Sequence, residues 1–559
     1  MAFKRTTLNP FSVFLSAILM AGGSIASALP AADYYVSTLG NDTTGNGSVN
    51  SHWASLEYAC ETVTMSGKTI YVLPGNYYSQ RMIPFSLGVS AFGAGITTKI
   101  YSSYNDSAVG QEYRWLNFVS NSEGVNGNQS LSYIWFDGRS LSAYHGGYCR
   151  GRSNVSIHHC KFTDFAKSGF TFSGIGNEID GPPTVYATGN SFHNNTVINC
   201  ADAQVVNPFN GAGNLQVGGQ DGMLIYNNII TATARVSGAN NPNGYCIKFY
   251  RQGNIKNCKI YGNALSRMAK KPDGSFDFCI EMWYLLGGNE IYDNVSTGCF
   301  DLAYCDKGAS TFSVAVYRNT IGPTTPSTIN APETGVNIEA SSSHIPATDV
   351  LIYRNYFRNL KRSLLIFVHG TGVVDRVNFY NNIMYKSGGY AGYSLGTTAA
   401  QINNINIINN TSYIIPSESN VQPNNGYDCH EIRCNCVHTN FVFRNNIMQG
   451  AQRSAIFMWD GKAGASMTGM SFENNITYNN GNNSIGYDGT NTSSIVTVTI
   501  ANNSTANPNL VLTPNAIQPD NFDIKLPSSF NGIANSLSVE DYLGVTRASP
   551  PDIGAFEYV

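Results

Sequence analysis

The chain has 559 residues, of which 55 are Gly and 33 Tyr, and only 12% are charged. A formal net charge of −3 provides no bulk field for nucleic acid or an anionic membrane, which excludes binding driven by charge alone. Low charge with abundant Asn, Gly, Ser and Thr points to many short strands joined by turns.

In chain order, Lys4 and Arg5 precede an apolar stretch from Phe11 to Met20, and Ala26-Ser27-Ala28 has the small-x-small pattern of a signal peptidase site. Residues 1–28 are therefore expected to be a secretory signal peptide, leaving residues 29–559 as one extracellular or periplasmic domain. The apolar run is too short for a membrane anchor, and no later run is long enough to span a bilayer. Export would put the twelve cysteines where disulfides persist. Cys299 and Cys305 are close enough to pair locally, as are members of the cluster Cys429, Cys434 and Cys436. Cys160, Cys200, Cys246, Cys258 and Cys279 fall in strand-like segments, either as bridges or as a buried stack of free thiols. The segment CHEIRCNC from Cys429 matches no paired-CxxC zinc arrangement.

A short pattern then recurs: apolar or aromatic positions, Asn, and an apolar residue. It appears as IHHCKF from Ile157 (with Cys160 in the Asn place), FHNNTV from Phe192, IYNNII from Ile225 and IYGNAL from Ile260. It continues as IYDNVS from Ile291, VYRNTI from Val316, IYRNYF from Ile352, FYNNIM from Phe379, IINNTS from Ile407, FRNNIM from Phe443 and FENNIT from Phe472. Asn228, Asn263, Asn294, Asn319, Asn355, Asn382, Asn410, Asn446 and Asn475 follow one another at intervals of 25 to 36 residues. Such variable spacing excludes a strict helical repeat and suits an all-β solenoid with fixed strands and variable loops. The key Asn is expected to take the left-handed turn between two short strands and to stack coil on coil as a ladder.

These motifs, with the opening YYVSTLGNDTTGNGS…HWASLEYAC…GKTIYVLPGNYY (Tyr34–Tyr78) and the closing PDIGAFEY (Pro551–Tyr558), resemble the right-handed parallel β-helix proteins of the pectate lyase and chondroitinase B type. The resemblance covers nearly all of the mature chain. It implies a single-stranded right-handed parallel β-helix with an N-terminal capping helix, here Trp53 to Val63, and a first strand at Thr69 to Leu73. It also implies three strands per coil, the Asn turn between the second and third, and a polysaccharide cleft along the first.

First strands upstream of the Asn motifs read as GYCIKFY (Gly244–Tyr250), FCIEMWY (Phe278–Tyr284), FDLAY (Phe300–Tyr304), GVNIEA (Gly335–Ala340), LLIFVHG (Leu364–Gly370), DCHEI (Asp428–Ile432) and AIFMWD (Ala455–Asp460). Alternation turns Lys248, Glu281, Asp301, Asn337, Glu339 and His369 outward, the first three on consecutive coils about 4.8 Å apart. Such a row is either a catalytic groove or an ordinary solvated face with one Lys–Glu pair. Tyr250, Trp283 and Tyr304 would offer flat faces to sugar rings. Long loops at 231–244, 266–277, 322–334 and 416–428 would wall the groove, with Lys270, Lys271 and Arg251 placed to meet an anionic sugar.

Two chemistries fit. In a lyase, favoured by the opening segment, Lys248 or Arg251 would abstract the proton α to a uronate carboxylate, while Glu281, Asp301 and Glu339 hold calcium. In a hydrolase, Glu281 with Asp301 would suit retention and Glu281 with Glu339 inversion. The chain lacks the Glu-rich strand followed by Lys-Ser of the alginate lyases and chondroitinase B, and the Asp-Asp, Gly-His-Gly and Arg-Ile-Lys set of the polygalacturonases. A non-catalytic carbohydrate-binding or adhesin solenoid is the third reading. Each reading expects a monomer acting on an extracellular polysaccharide, with no nucleic acid or membrane span.

Overall fold

The computed structural model describes residues 29–102, 114–139, 145–174, 183–201, 213–232, 245–249, 255–267, 278–283, 285–303, 312–324, 334–343, 346–395, 397–414, 428–508, 510–512, 522–524, 539–548 and 551–555. They form a right-handed parallel β-helix. Its two long parallel sheets have 14 and 28 strands, the larger one joining the two strands that flank each Asn turn. A representative coil runs through Phe278–Trp283, then Asn289–Tyr292, the turn at Asn294, and Val295–Ser296, before Cys299–Ala303 opens the next coil. Most inward positions along these strands are apolar, so the core is one continuous column, with a few buried polar residues such as Ser296 and Asn289 among them. Among the described residues no helix is long and apolar enough to cross a membrane.

The N-terminal cap is shorter than expected. Its helix is Leu56–Thr62, started by Ser55, whose side chain accepts a hydrogen bond from the Tyr58 backbone N–H at 3.2 Å. Trp53 lies outside the helix and stacks on Tyr34, ring centroids 5.1 Å apart. The sheet also begins earlier. Tyr34–Val36 pairs in parallel with Thr69–Val72, so a strand precedes the one expected to be first.

The Asn ladder is continuous. Asn228, Asn263, Asn294, Asn319, Asn355, Asn382, Asn410, Asn446 and Asn475 are each at most 1% exposed. Each side-chain amide donates to the side-chain oxygen of the next Asn at 2.9–3.1 Å, ending on Asn503. The left-handed residue is not the ladder Asn but the one before it. Asn227, Gly262, Asp293, Arg318, Arg354 and Asn381 have φ between 54° and 64°. The ladder position demands an amide that both donates and accepts, whereas the turn position demands only tolerance of positive φ.

Beside the ladder, His158, His193, Tyr226, Tyr261, Tyr292, Tyr317, Tyr353 and Tyr380 stack ring on ring at 4.6–5.0 Å. The closing segment straps the flank of the solenoid. Ile553 and Ala555 pack on Tyr356, Ile383, Ile447 and Ile476, and Arg354 Nε donates to the Tyr542 carbonyl at 2.9 Å. The described cysteines, including Cys299, Cys429, Cys434 and Cys436, are buried free thiols, so the local pairing expected within the Cys429 cluster is absent. Cys305 and the expected signal peptide lie outside the described residues.

Candidate functional site

The 14-stranded sheet carries the predicted row. Lys248 pairs in register with Glu281, Glu281 with Asp301, and Asp301 with Asn337. Their neighbours Ile247, Ile280, Phe300 and Val336 line the core, which forces the polar residues to the outer face. Glu339 lies on the Asn337 strand but two residues on, level with Ala303, and His369 pairs with Ser341 on the far edge. Tyr250, Arg251, Lys270, Lys271 and Tyr304 lie outside the described residues.

Partner choice differs from expectation. Glu281 forms an ion pair with Lys248 rather than a carboxylate pair with Asp301. The Lys248 ammonium lies between two rings, 4.8 Å from the Tyr245 centroid and 4.5 Å from that of Trp283. Asp301 instead joins Glu339. Asn337 Nδ2 donates to Asp301 Oδ1 at 2.6 Å and to Glu339 Oε1 at 2.9 Å. Those two oxygens therefore lie within about 5.5 Å of each other, at or inside the separation found in retaining glycosidases. Burial foremost, and then the charge of Glu339, push the Asp301 carboxyl well above the usual carboxylate range, against the opposing pull of Asn337 and Lys248. Burial likewise pushes the Tyr245 phenol up to about 12.

The row points outward yet is not open. Lys248 is 7% exposed, Glu281 3%, Asp301 1% and Asn337 0%. The His369 side chain is 38% exposed and its Nε2 is 3.7 Å from Glu339 Oε2, so the solvent side of the site is the Glu339–His369 edge. Asn337 Oδ1 is buried with no hydrogen-bond partner among the described residues, an acceptor awaiting a donor. Among the described residues, no group of three His, Cys, Asp or Glu side chains is placed to hold a metal ion. Glu281 turns to Lys248 and Asp301 to Asn337.

Sequence reading missed how far the polar row extends. Gln216 pairs with Lys248 and Thr171 with Gln216. Thr171 Oγ1 and Ser168 Oγ lie 2.8 Å apart, and Ser168 Oγ is 2.6 Å from His145 Nδ1. The strand Gly213–Val217 precedes the Ile225 motif just as Tyr245–Phe249 precedes the Ile260 motif, a spacing that could have revealed it. The strand Tyr390–Leu395 was missed as well. On the other side the row stops at Leu365, which forms a buried outward apolar cluster with Phe367 and Ala391.

No family model and no curated protein matches the chain. Among solved structures, it is similar to the tailspike protein of E. coli bacteriophage HK620 in complex with pentasaccharide, at 11% identity over 81% of this chain and 77% of that one, with a TM-score of 0.49. It is similar to the catalytic unit of a thermostable alpha-1,3-glucanase from Streptomyces thermodiastaticus at 12% identity, over 86% and 70% of the two chains, with a TM-score of 0.43. It is similar to XylC in complex with xylose at 11% identity, over 94% and 98%, with a TM-score of 0.41. At these identities a likeness bears on fold and not on chemistry.

Proposed function

We propose that this chain is a secreted, monomeric enzyme that hydrolyses glycosidic bonds in an extracellular polysaccharide, with Asp301 as proton donor and Glu339 as the partner carboxylate. The observation that supports this is the Asp301–Asn337–Glu339 arrangement. A glycosidase needs one carboxyl that keeps its proton and one that is ionised, both close to the same bond. Asp301 meets the first demand by burial beside a second carboxylate. Glu339 sits nearer the solvent edge, where a sugar ring arrives first. Lys248 and Glu281 cancel each other beside the Trp283 ring, and the bare Asn337 Oδ1 suits a sugar hydroxyl donor.

The lyase reading needs an unprotonated base. Lys248 is engaged in an ion pair by Glu281, and an arginine such as Arg251 keeps its proton. A binding solenoid has no need of a protonated carboxyl held against a carboxylate. Secretion is part of the proposal and rests on the composition of residues 1–28. The test is a panel of neutral and uronate-bearing polysaccharides, followed both by reducing ends and by the absorbance of unsaturated ends. Hydrolysis yields reducing ends alone. Unsaturated ends from any substrate would overturn the hydrolase assignment in favour of β-elimination.

A further inference from the structure

On the larger sheet, away from the groove, the N-terminal coils carry a cluster of rings and cations. Asn76, Lys99, Trp135 and Lys161 form one in-register column, and Tyr78, Tyr101, Asp137 and Thr163 form the next. The Trp135 ring lies between two ammonium groups, with Lys99 Nζ 3.5 Å and Lys161 Nζ 3.8 Å from its centroid. Its Nε1 donates to Thr163 Oγ1 at 2.9 Å, which fixes the ring. Tyr78 and Tyr101 stack with centroids 5.1 Å apart and planes 14° apart. The Tyr78 strand, Gly75–Ser79, pairs with a single strand among the described residues, Ser90–Ser102. Tyr78 therefore ends its stack, and it is 62% exposed.

The charges around these rings do not cancel. Lys99 is matched by Asp137 at 2.7 Å. Asp164 lies near Lys99 and Lys161 without an ion pair to either among the described residues, so three cations, with Arg139, face two carboxylates. Lys161 and Arg139 have no ion-pair partner among the described residues, and the Arg139 guanidinium lies 5.8 Å from the Tyr78 centroid. A free aromatic face beside uncancelled cations suits a ligand with a flat apolar side and a negative charge.

We propose that this face is a second saccharide-binding surface, for a uronate-bearing chain, separate from the groove. A sugar ring lies on the free face of Tyr78 and extends the Tyr101 stack. Its carboxylate meets Arg139, and Lys161 adds to the positive field. The surface would hold the polymer while the groove acts elsewhere along it.

The test is affinity electrophoresis of the mature chain and of its Asp301→Asn variant, which under the hydrolase assignment slows cleavage; retardation shared by both reads the binding surface separately from that assignment. Gels contain polygalacturonate or alginate, with neutral xylan as the control. Retardation is expected in the acidic polymers, weakened about fivefold to tenfold by Tyr78→Ala or Arg139→Ala and kept by Tyr78→Phe, which preserves the ring and guards against misfolding. It should also fade with added salt. No retardation in either acidic polymer overturns the proposal, as does equal retardation in xylan or retardation insensitive to both alanine variants. A concentration-dependent dimer in sedimentation that Tyr78→Ala abolishes would reassign the face to a second copy of the chain.

Discussion

Asn319→Ala removes one rung from the middle of the ladder. Asn319 Oδ1 accepts from the Asn294 backbone N–H and side-chain amide, both at 3.0 Å. Its Nδ2 donates to the carbonyls of Ile291 at 2.9 Å and Tyr317 at 3.1 Å and to Asn355 Oδ1 at 3.0 Å. Not all of these losses leave an orphan. The Asn294 amide keeps the Ile260 and Tyr292 carbonyls, and Asn355 Oδ1 keeps the Asn319 backbone N–H. The Asn294 N–H has no second acceptor, and at 1% exposure of Asn294 water does not reach it readily. One orphaned buried donor plus the net worth of the remaining bonds gives a cost of about 2–4 kcal/mol. Asn503→Ala is the control: it ends the ladder, is half-buried, and should cost about 1 kcal/mol or less because water can substitute. Urea unfolding followed by far-ultraviolet circular dichroism measures both. If Asn319→Ala stays within about 0.5 kcal/mol of the parent, or Asn503→Ala costs as much, the ladder is not what holds the turns.

Asp301→Asn and Glu339→Gln should each lower the hydrolysis rate by roughly 10²–10⁴-fold while polymer binding persists, and near-normal rates would move the chemistry elsewhere. Because the folded Asp301 carboxyl is raised, its proton stabilises the fold at low pH, and that contribution is lost as pH rises through the folded value; activity should fall over the same rise, and a profile flat in pH would contradict the proton-donor role. Glu281→Gln strands the buried Lys248 ammonium and should cost about 3–5 kcal/mol in thermal or urea melts, whereas a change at an open surface would cost little. Burial lowers His430 from 6.5 to about 3 and His438 to about 4, so the stability they confer is complete above pH 6.5 and is lost as pH falls towards those values; His430→Leu should flatten the melting temperature between pH 6.5 and pH 4. EDTA should leave the rate unchanged, and a loss restored by calcium would favour the lyase chemistry.

The solenoid was legible because one position in every coil has a demand that few residues can meet. An interior amide must donate up the axis and accept from below, so Asn recurs where loop lengths do not. The turn geometry was misread by one residue because Asn-Asn pairs such as Asn227-Asn228 and Asn381-Asn382 conceal which member does what. The copies with Asp293, Arg318 and Arg354 at the first place resolve it: side chains as different as Asp and Arg tolerate positive φ there, while the second place stays Asn. The strand Tyr390–Leu395 escaped notice because its Gly, Ser and Tyr residues break the apolar alternation that marked its neighbours.

Alternation could place Lys248, Glu281, Asp301 and Asn337 on one face, but it could not choose their partners. Neighbouring coils are about 4.8 Å apart, too close for like charges to stand unrelieved in a buried row. The row relieves itself in order: Lys248 cancels Glu281, Asp301 holds its proton, and Asn337 contributes a neutral amide. Leu365 then closes it. The remaining carboxyl group stands two residues along at Glu339, the least buried of the site and the one beside the half-buried His369. That displacement separates the Asp301 carboxyl, whose protonated form burial favours, from the less deeply buried Glu339. The proposed division of roles thus rests on how a charged row survives burial, which neither residue type nor strand periodicity contains.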